Sequence, residues 1–281
     1  MSKSKQIQHP QTLLCIDVSY LLFYRINALR TWHKHRTKED ATDDIMLSET
    51  FKDKLLERID FTIKQLFKTH QPHAILCGYD GHNNWRKQEY NDYKKGRVHH
   101  SATLKLFQYG QSYILNQSMN VPCQIIHQQH DALEADDFIH FATRKLCAEK
   151  ENVRVVIIAN DHDYLPLLGS CNVHVFSLKS KNNELKLPLN STKDHPLTGE
   201  QYLLYKIIMG DKSDNIMPVF KGYGKVRSLR LVCDTNALDN LLTTADKETL
   251  HRYKTNRRLI DNRCLPDALK VWMEEHWMIK M

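Results

Sequence analysis

Carboxylates are the side chains of this sequence best placed to do chemistry, and they recur where strands end and helices begin. The plainest case is 155–163, Val-Val-Ile-Ile-Ala-Asn-Asp-His-Asp. Val155 to Ile158 form a continuous β-branched run, the pattern of a strand buried on both faces in a parallel sheet. The run delivers Asp161 and Asp163. At spacing two in extended chain, both side chains leave on one side. In an open α/β sheet, ligands collect at the carboxyl ends of strands. Two acids there repel unless a cation lies between them. For a single pair, a polar loop with solvated aspartates is an equally good reading.

Other acids repeat the arrangement. Asp17 follows a strand over 12–16, where a helix N-cap is the competing reading. Asp80 follows a strand over 74–79. Glu134, Asp136 and Asp137 open a helix. Its dipole favours acids in the first turn, but does not call for three together. Asp211 and Asp214 follow a helical stretch over 200–209. Hard oxygen ligands without cysteine or histidine spacing suit Mg²⁺ or Mn²⁺ and not zinc. Two such ions, about 4 Å apart, can activate a water and steady the leaving oxygen of a phosphodiester.

Between the acids lies a basic, aromatic-interleaved stretch: Trp85-Arg86-Lys87, Tyr90, Tyr93-Lys94-Lys95-Gly96-Arg97, His99 and His100. Cations with aromatics between them suit a nucleic-acid strand, although a solvated loop is the usual fate of a charge run. Lys221-Gly222-Tyr223-Gly224-Lys225 lies between two helical segments. Glycines there let backbone amides approach a phosphate.

The elements that must position these groups are legible from periodicity. Residues 49–69 carry Phe51, Leu55, Ile59, Ile63, Leu66 and Phe67 on one helical face, and Pro72 ends them. Helices are expected over 101–119, 226–241, 246–260 and 265–281, and strands over 123–126 and 173–178. The 246–260 helix carries Arg252, Lys254, Arg257 and Arg258. Residues 1–11 read as polar and frayed, 30–48 give no assignment, and 179–197 read as a polar connection. The 281 residues are 41% hydrophobic and 26% charged, a globular composition and not a disordered one. Forty Lys and Arg against 33 acids give +7, which favours a polyanionic partner without requiring one. Seven cysteines show no CxxC and imply reduced thiols with no disulfide framework. No apolar stretch is long enough to span a bilayer, and no leader is evident.

Taken in order, five blocks carry a resemblance to a known family. They are Asp17 after the first strand; Tyr79-Asp80 with Arg86 and Tyr93-Lys94-Lys95-Gly96-Arg97; Glu134-Ala135-Asp136-Asp137; Asn160-Asp161-His162-Asp163; and Met209-Gly210-Asp211-Lys212-Ser213-Asp214-Asn215-Ile216 with Lys221-Gly222-Tyr223-Gly224. Over about residues 12–225 the chain resembles the flap endonuclease / 5′–3′ exonuclease family, in particular its small phage-type members.

The resemblance implies a single 5′-nuclease domain over 1–281. It implies an α/β, PIN-like core over 12–178 with a central, mainly parallel sheet, and a helical arch at about 83–120 that passes a 5′ single strand. A helical region over 200–281 would carry a helix–hairpin–helix-like element at about 203–235, gripping duplex DNA with K⁺. By resemblance, Asp17, Asp80, Glu134 and Asp136 would hold a first Mg²⁺, with Mn²⁺ as substitute. Asp137, Asp161, Asp163, Asp211 and Asp214 would serve a second. Lys94, Arg97 and Arg86 would act on the scissile phosphate, and Tyr93 would stack on a base. Lys95, Lys221, Gly222, Gly224 and Lys225 would hold nucleic acid. The hairpin, Asn215 to Gly224, is one residue longer than the family pattern and lacks its first glycine.

The implied activity is Mg²⁺-dependent cutting of 5′ flaps, single-stranded 5′ ends or RNA primers in RNA–DNA hybrids, by a monomer in the cytoplasm of a bacterial or phage-infected cell. No polymerase domain follows, so a stand-alone nuclease is expected. The alternatives are a PIN-type ribonuclease and a non-catalytic nucleic-acid binder.

Overall fold

Five short strands build the sheet, the central three as nearly continuous apolar runs. They are β1 (Gln11–Asp17), β2 (Ala74–Gly78), β3 (Gln124–Gln128), β4 (Val153–Ile158) and β5 (Asn172–Phe176). All pair in parallel, in the order β3-β2-β1-β4-β5. The computed structural model describes residues 10–97, 100–116, 121–179, 184–279 and 281.

The central strands β1, β2 and β4 lack polar alternation because both faces of the sheet are covered there, while the edge strand β5 alternates. Leu14, Ile16, Ile75, Cys77, Val156 and Ile158 feed one core. Covering it are α1 (Val18–Thr37), α2 (Asp43–Leu47), α3 (Glu49–His70) and α5 (Ser101–Asn116), the last preceded by the short α4 (Trp85–Glu89). Leu13, Cys15, Leu76, Val155, Ile157 and Val175 feed the other, against α6 (Ala135–Glu149). The α3 stripe packs as its spacing requires, with Leu55, Ile59 and Ile63 fully buried.

β1 lies mid-sheet. The chain steps from β1 through β2 to β3, then returns to β4 and β5 on the other side. Strand order therefore reverses between β1 and β4, and a crevice opens at their carboxyl ends. Asp17 and Asn160-Asp161 stand at that crevice.

Beyond β5, α7 (Gly199–Met209), α8 (Lys225–Cys233), α9 (Thr235–Thr244) and α10 (Lys247–Ile260) gather around Tyr202, Ile208, Val219, Leu229 and Val232. Asn256 ties this layer together: its Nδ2 donates to Ile207 O at 2.9 Å and to Met217 O at 2.7 Å. Gly210 turns α7 into a tight loop at φ +65°, and an added Cβ would fall 2.3 Å from Ile216 O. Asp211 and Ile216 exchange both backbone hydrogen bonds across that loop. Finally α11 (Asp267–Glu275) returns to the core, where Met273 joins Trp85, Leu133 and Phe138.

Several elements differ from expectation. Much of 30–48 is helical, since α1 runs to Thr37 and α2 follows. Continuing a helix is cheap once it is nucleated, even through a polar sequence. The expected 226–241 helix breaks at Asp234, whose side chain caps α9 by accepting from Ala237 N at 3.0 Å. The closing helix stops at Glu275, and Trp277, Ile279 and Met281 pack on the second core. The cysteines need a correction: Cys147, at the end of α6, is disulfide-bonded to Cys171, just before β5. Their sequence separation of 24 hides a proximity that the sheet creates.

The stretch 83–120, expected as an arch, divides in two. Its first part lies down over the acids, as described below. Its second part, α5, is a core helix with Ala102, Leu106 and Ile114 buried. His99 of the basic stretch, residues 117–120 of the arch, residues 1–9 and residues 180–183 lie outside the described residues. Among the described residues no helix is long and apolar enough to cross a membrane.

Candidate active site

The crevice holds a cavity of about 380 Å³. Seven carboxylates line it: Asp17, Asp80, Glu134, Asp136, Asp161, Asp163 and Asp214. Asp211 sits just behind, in a small enclosed space shared with Asp136, Asp163 and Asp214.

Local structure fixes each acid. Asp17 caps α1, its Oδ1 accepting from Tyr20 N at 2.9 Å, while Oδ2 accepts from the Tyr164 hydroxyl at 3.1 Å. Asp80 accepts from Ser19 Oγ at 2.6 Å and from Ala135 N, the first amide of α6, at 2.9 Å. Asp161 accepts from Asp163 N at 2.9 Å. Asp211 accepts from the Ser213 amide at 2.8 Å. The capping reading of Asp17 and the functional one thus describe the same side chain: the cap aims the carboxylate, and the cavity is where it points.

Asp136 and Asp137 are neighbours with opposite fates. About 100° of helical rotation separates adjacent residues. Asp136 faces the cavity, and its Oδ1 is buried with no hydrogen-bond partner. Asp137 is fully buried and grips Arg86 with both oxygens, at 2.7 and 3.0 Å. It also accepts from Asn262 Nδ2 at 3.1 Å and from Glu134 N at 3.0 Å. With both oxygens engaged below the cavity, Asp137 leaves the metal-facing set.

Arg86 needs the same correction. It is 2% exposed, its Nε donates to Leu259 O at 2.8 Å, and its Nη1 donates to Glu134 at 3.0 Å. A guanidinium committed in this way cannot reach a phosphate in the cavity; it holds the acids from beneath. Tyr93 is also buried, and its hydroxyl donates to Glu134 at 2.8 Å. Its ring is covered and has no open face for a base.

Protein cations meet the acids from above. Lys94 Nζ contacts Glu134, and Arg97 contacts Asp214. Lys206 of α7 bridges Asp163, at 2.8 Å, and Asp211. Sequence reasoning missed Lys206; its signal is a lysine five residues before Asp211, facing the acids from the last turns of α7. The 90–97 segment is laid down by further bonds: Asn215 Nδ2 donates to Asp92 O and Lys95 O at 3.0 and 2.8 Å, and Lys94 N donates to Asp214 O at 3.1 Å. Lys95 is exposed beside it. Lys221, Gly222, Gly224 and Lys225 are exposed on the hairpin and the start of α8, away from the acid cavity, with Gly222 at φ +78°.

The electrostatics divide the acids. Burial alone would raise Glu134, but Lys94 and Arg86 outweigh it and hold the carboxyl at about 2. Burial and the facing Asp80 push Asp17 up to about 7. Asp161 keeps an exposed edge, yet the surrounding protein and Asp163 push it up to about 6. Burial also drives Asp136 well above the usual carboxylate range, with Asp137 and Glu134 adding to it. These raised acids are short of positive charge.

Among the described residues no three ligating side chains yet converge tightly enough to enclose an ion. The donor set nevertheless fits a hard divalent cation. It is all oxygen, it includes the orphaned Asp136 Oδ1, and its raised acids are the ones that added positive charge would relieve.

Fold and site define a class: a PIN-like α/β domain with an oxygen-rich cavity at its switch point. The chain belongs to the 5′–3′ exonuclease family, whose model for the N-terminal, resolvase-like domain matches residues 12–194. It is 30% identical over 199 residues to the DNA polymerase I of Geobacillus stearothermophilus, covering 70% of this chain and 22% of that polymerase. It is 25% identical over 241 residues to the flap endonuclease Xni of Shewanella sediminis, covering 82% of each. In fold it is similar to bacteriophage T5 D15 flap endonuclease, in a pseudo-enzyme–product complex with DNA and metal ions. The TM-score is 0.65 at 17% identity, over 94% of this chain and 97% of that one.

Two outcomes follow from this geometry. Arg86→Met leaves Asp137 buried and unpaired, and should cost about 3–5 kcal/mol in urea unfolding. Wild-type stability with lost cleavage would instead restore Arg86 to the phosphate. For pH, the folded Asp17 and Asp161 hold protons between about pH 4 and their raised values of about 7 and about 6, whereas the unfolded chain has released them. These groups therefore cost stability progressively as pH rises through that window. Millimolar Mg²⁺ should raise the melting temperature near pH 8 and barely change it near pH 5. Equal shifts at both would contradict the assignment.

Proposed function

We propose that the chain is a Mg²⁺-dependent structure-specific 5′ nuclease, cutting phosphodiesters of 5′ flaps and single-stranded 5′ ends of DNA and the RNA strand of RNA–DNA hybrids in replication and repair. One observation carries the reading: Asp17, Asp80, Asp136, Asp161 and Asp163 converge on one cavity, with Lys94 and Arg97 at its rim. The named relative Xni and the T5 neighbour are flap endonucleases, which supports the same substrate class.

Asp17, Asp80, Glu134 and Asp136 would hold one Mg²⁺, and Asp161, Asp163, Asp211 and Asp214 would hold or orient a second; Mn²⁺ would substitute. Bound there, the ions would supply the Lewis acidity that activates a water and steadies the leaving oxygen. The remaining work belongs to the chain. Lys94 and Arg97 exchange Glu134 and Asp214 for the scissile phosphate and stabilise charge as it develops there. Ser19 and the first amide of α6 keep Asp80 aimed, and Tyr164 keeps Asp17 aimed. Lys95, Lys221 and Lys225 contact backbone phosphates, and the open backbone at Gly222 and Gly224 admits a duplex strand closely. A K⁺ ion at this hairpin, action as a monomer and a cytoplasmic setting belong to the same proposal.

The test is cleavage of a 5′-labelled flap duplex, beside a blunt duplex and a plain single strand. Cutting near the junction should require Mg²⁺ and stop with EDTA. Lys94→Ala should lower the rate about 10²–10³-fold while leaving affinity within a few-fold, as expected for a charge aimed at the transition state. Metal-independent cutting, or cutting of single-stranded RNA alone, would overturn the proposal.

A further inference from the structure

A second cavity, of about 560 Å³, lies on the far side of the turn that covers the acids. Tyr93 and Lys94 face the carboxylates, while Glu89 and Tyr90, from the same short segment, line this second cavity. Its other wall is α10, which contributes His251, Arg252, Lys254 and Arg258.

The charge is one-sided. Glu89 is the one acid in the lining, and it is paired with Arg258 at 3.0 Å. Lys254 is exposed and has no acidic partner among the described residues. Arg252 pairs with the exposed Glu248, one helical turn away at 3.1 Å, a contact worth little in water, and lies near the exposed Asp246. The Arg252 Nε is buried without any hydrogen-bond partner. Arg252, one-third exposed, and the unpaired Lys254 therefore leave positive charge on this wall available to an anion.

The lining is also apolar in the right place. The Tyr90 ring and the Met217 side chain, 61% exposed, flank the cations. The floor is rigid, because Asn256 fixes the Met217 carbonyl at 2.7 Å. A cationic groove with a ring beside it matches a phosphodiester strand with an unstacked base. The volume falls in the range of small-ligand pockets, about 300–1,000 Å³, the scale of a nucleotide.

We infer that this cavity is a binding subsite for single-stranded DNA, separated from the catalytic acids by the 90–94 turn. The inference rests on the proposed nuclease function. Arg252 and Lys254 take the phosphates, and Tyr90 and Met217 carry the base.

The probe is a fluorescein-labelled dT20 strand, followed by anisotropy in EDTA across a salt series, beside a blunt hairpin duplex. For Arg252→Glu/Lys254→Glu, dT20 affinity should fall tenfold or more near 0.1 M salt. The salt slope should shrink by about 1.4, about 0.7 for each lost phosphate contact. Hairpin affinity, melting temperature and the rate of flap cleavage at saturating enzyme should stay at wild-type values. Lys254→Ala, at an exposed position, is the milder variant and should show about half the change in slope. Unchanged dT20 binding in a wild-type protein that cuts flaps overturns the subsite alone. Equal losses for dT20 and the hairpin overturn its restriction to single strands. A wild type that neither binds nor cuts any of these DNAs overturns the function on which the subsite rests.

Discussion

Like charges crowded at the end of β1 set the terms for the rest of the structure. Parallel pairing of β1, β2 and β4 brings Asp17, Asp80 and Asp161 to one edge, and the start of α6 adds Glu134 and Asp136. Carboxylates so close raise one another's affinity for protons unless positive charge intervenes. The protein supplies that charge from below with Arg86 and from above with Lys94, Arg97 and Lys206. The answer is incomplete. Glu134 is held strongly ionised, while Asp17 and Asp161 remain short of a counterion. That imbalance leaves room for added positive charge, which the proposed divalent cations would supply.

The cation from below and those from above differ in kind. Arg86 is buried among Asp137, Glu134 and a backbone carbonyl, where removing one partner would strand the others. Lys94 and Arg97 lie on a segment held mainly by hydrogen bonds to the 213–215 loop. Such a segment can trade one anionic partner for another. The buried arginine therefore fixes the acids, while the two cations at the rim are placed to change partners, as the proposed mechanism asks of them.

Much of this was readable in the sequence, for identifiable reasons. A short apolar run followed by an acid marks a buried parallel strand and its carboxyl end, so Asp17, Asp80 and Asp161 could be placed without coordinates. Spacing could not say that Asp136 faces the cavity while Asp137 faces inward, because both sit in a first turn that the helix dipole favours equally. A basic run such as 85–97 reads as solvent-facing, so the burial of Arg86 and Tyr93 beneath it was hidden. Lys206 was hidden because its partners come from two separate loops. The Cys147–Cys171 bond depends on where α6 ends relative to β5, which only the packed sheet determines.

The carboxylates at the switch point, now paired with the protein's own lysines, are proposed to take divalent cations. Anomalous diffraction from crystals grown with Mn²⁺ tests this most directly. Manganese should lie among Asp17, Asp80, Asp136, Asp161 and Asp163, with Lys94 withdrawn from Glu134. Manganese confined to surface acids elsewhere, with Lys94 still on Glu134 and Lys206 still bridging Asp163 and Asp211, would contradict the proposal.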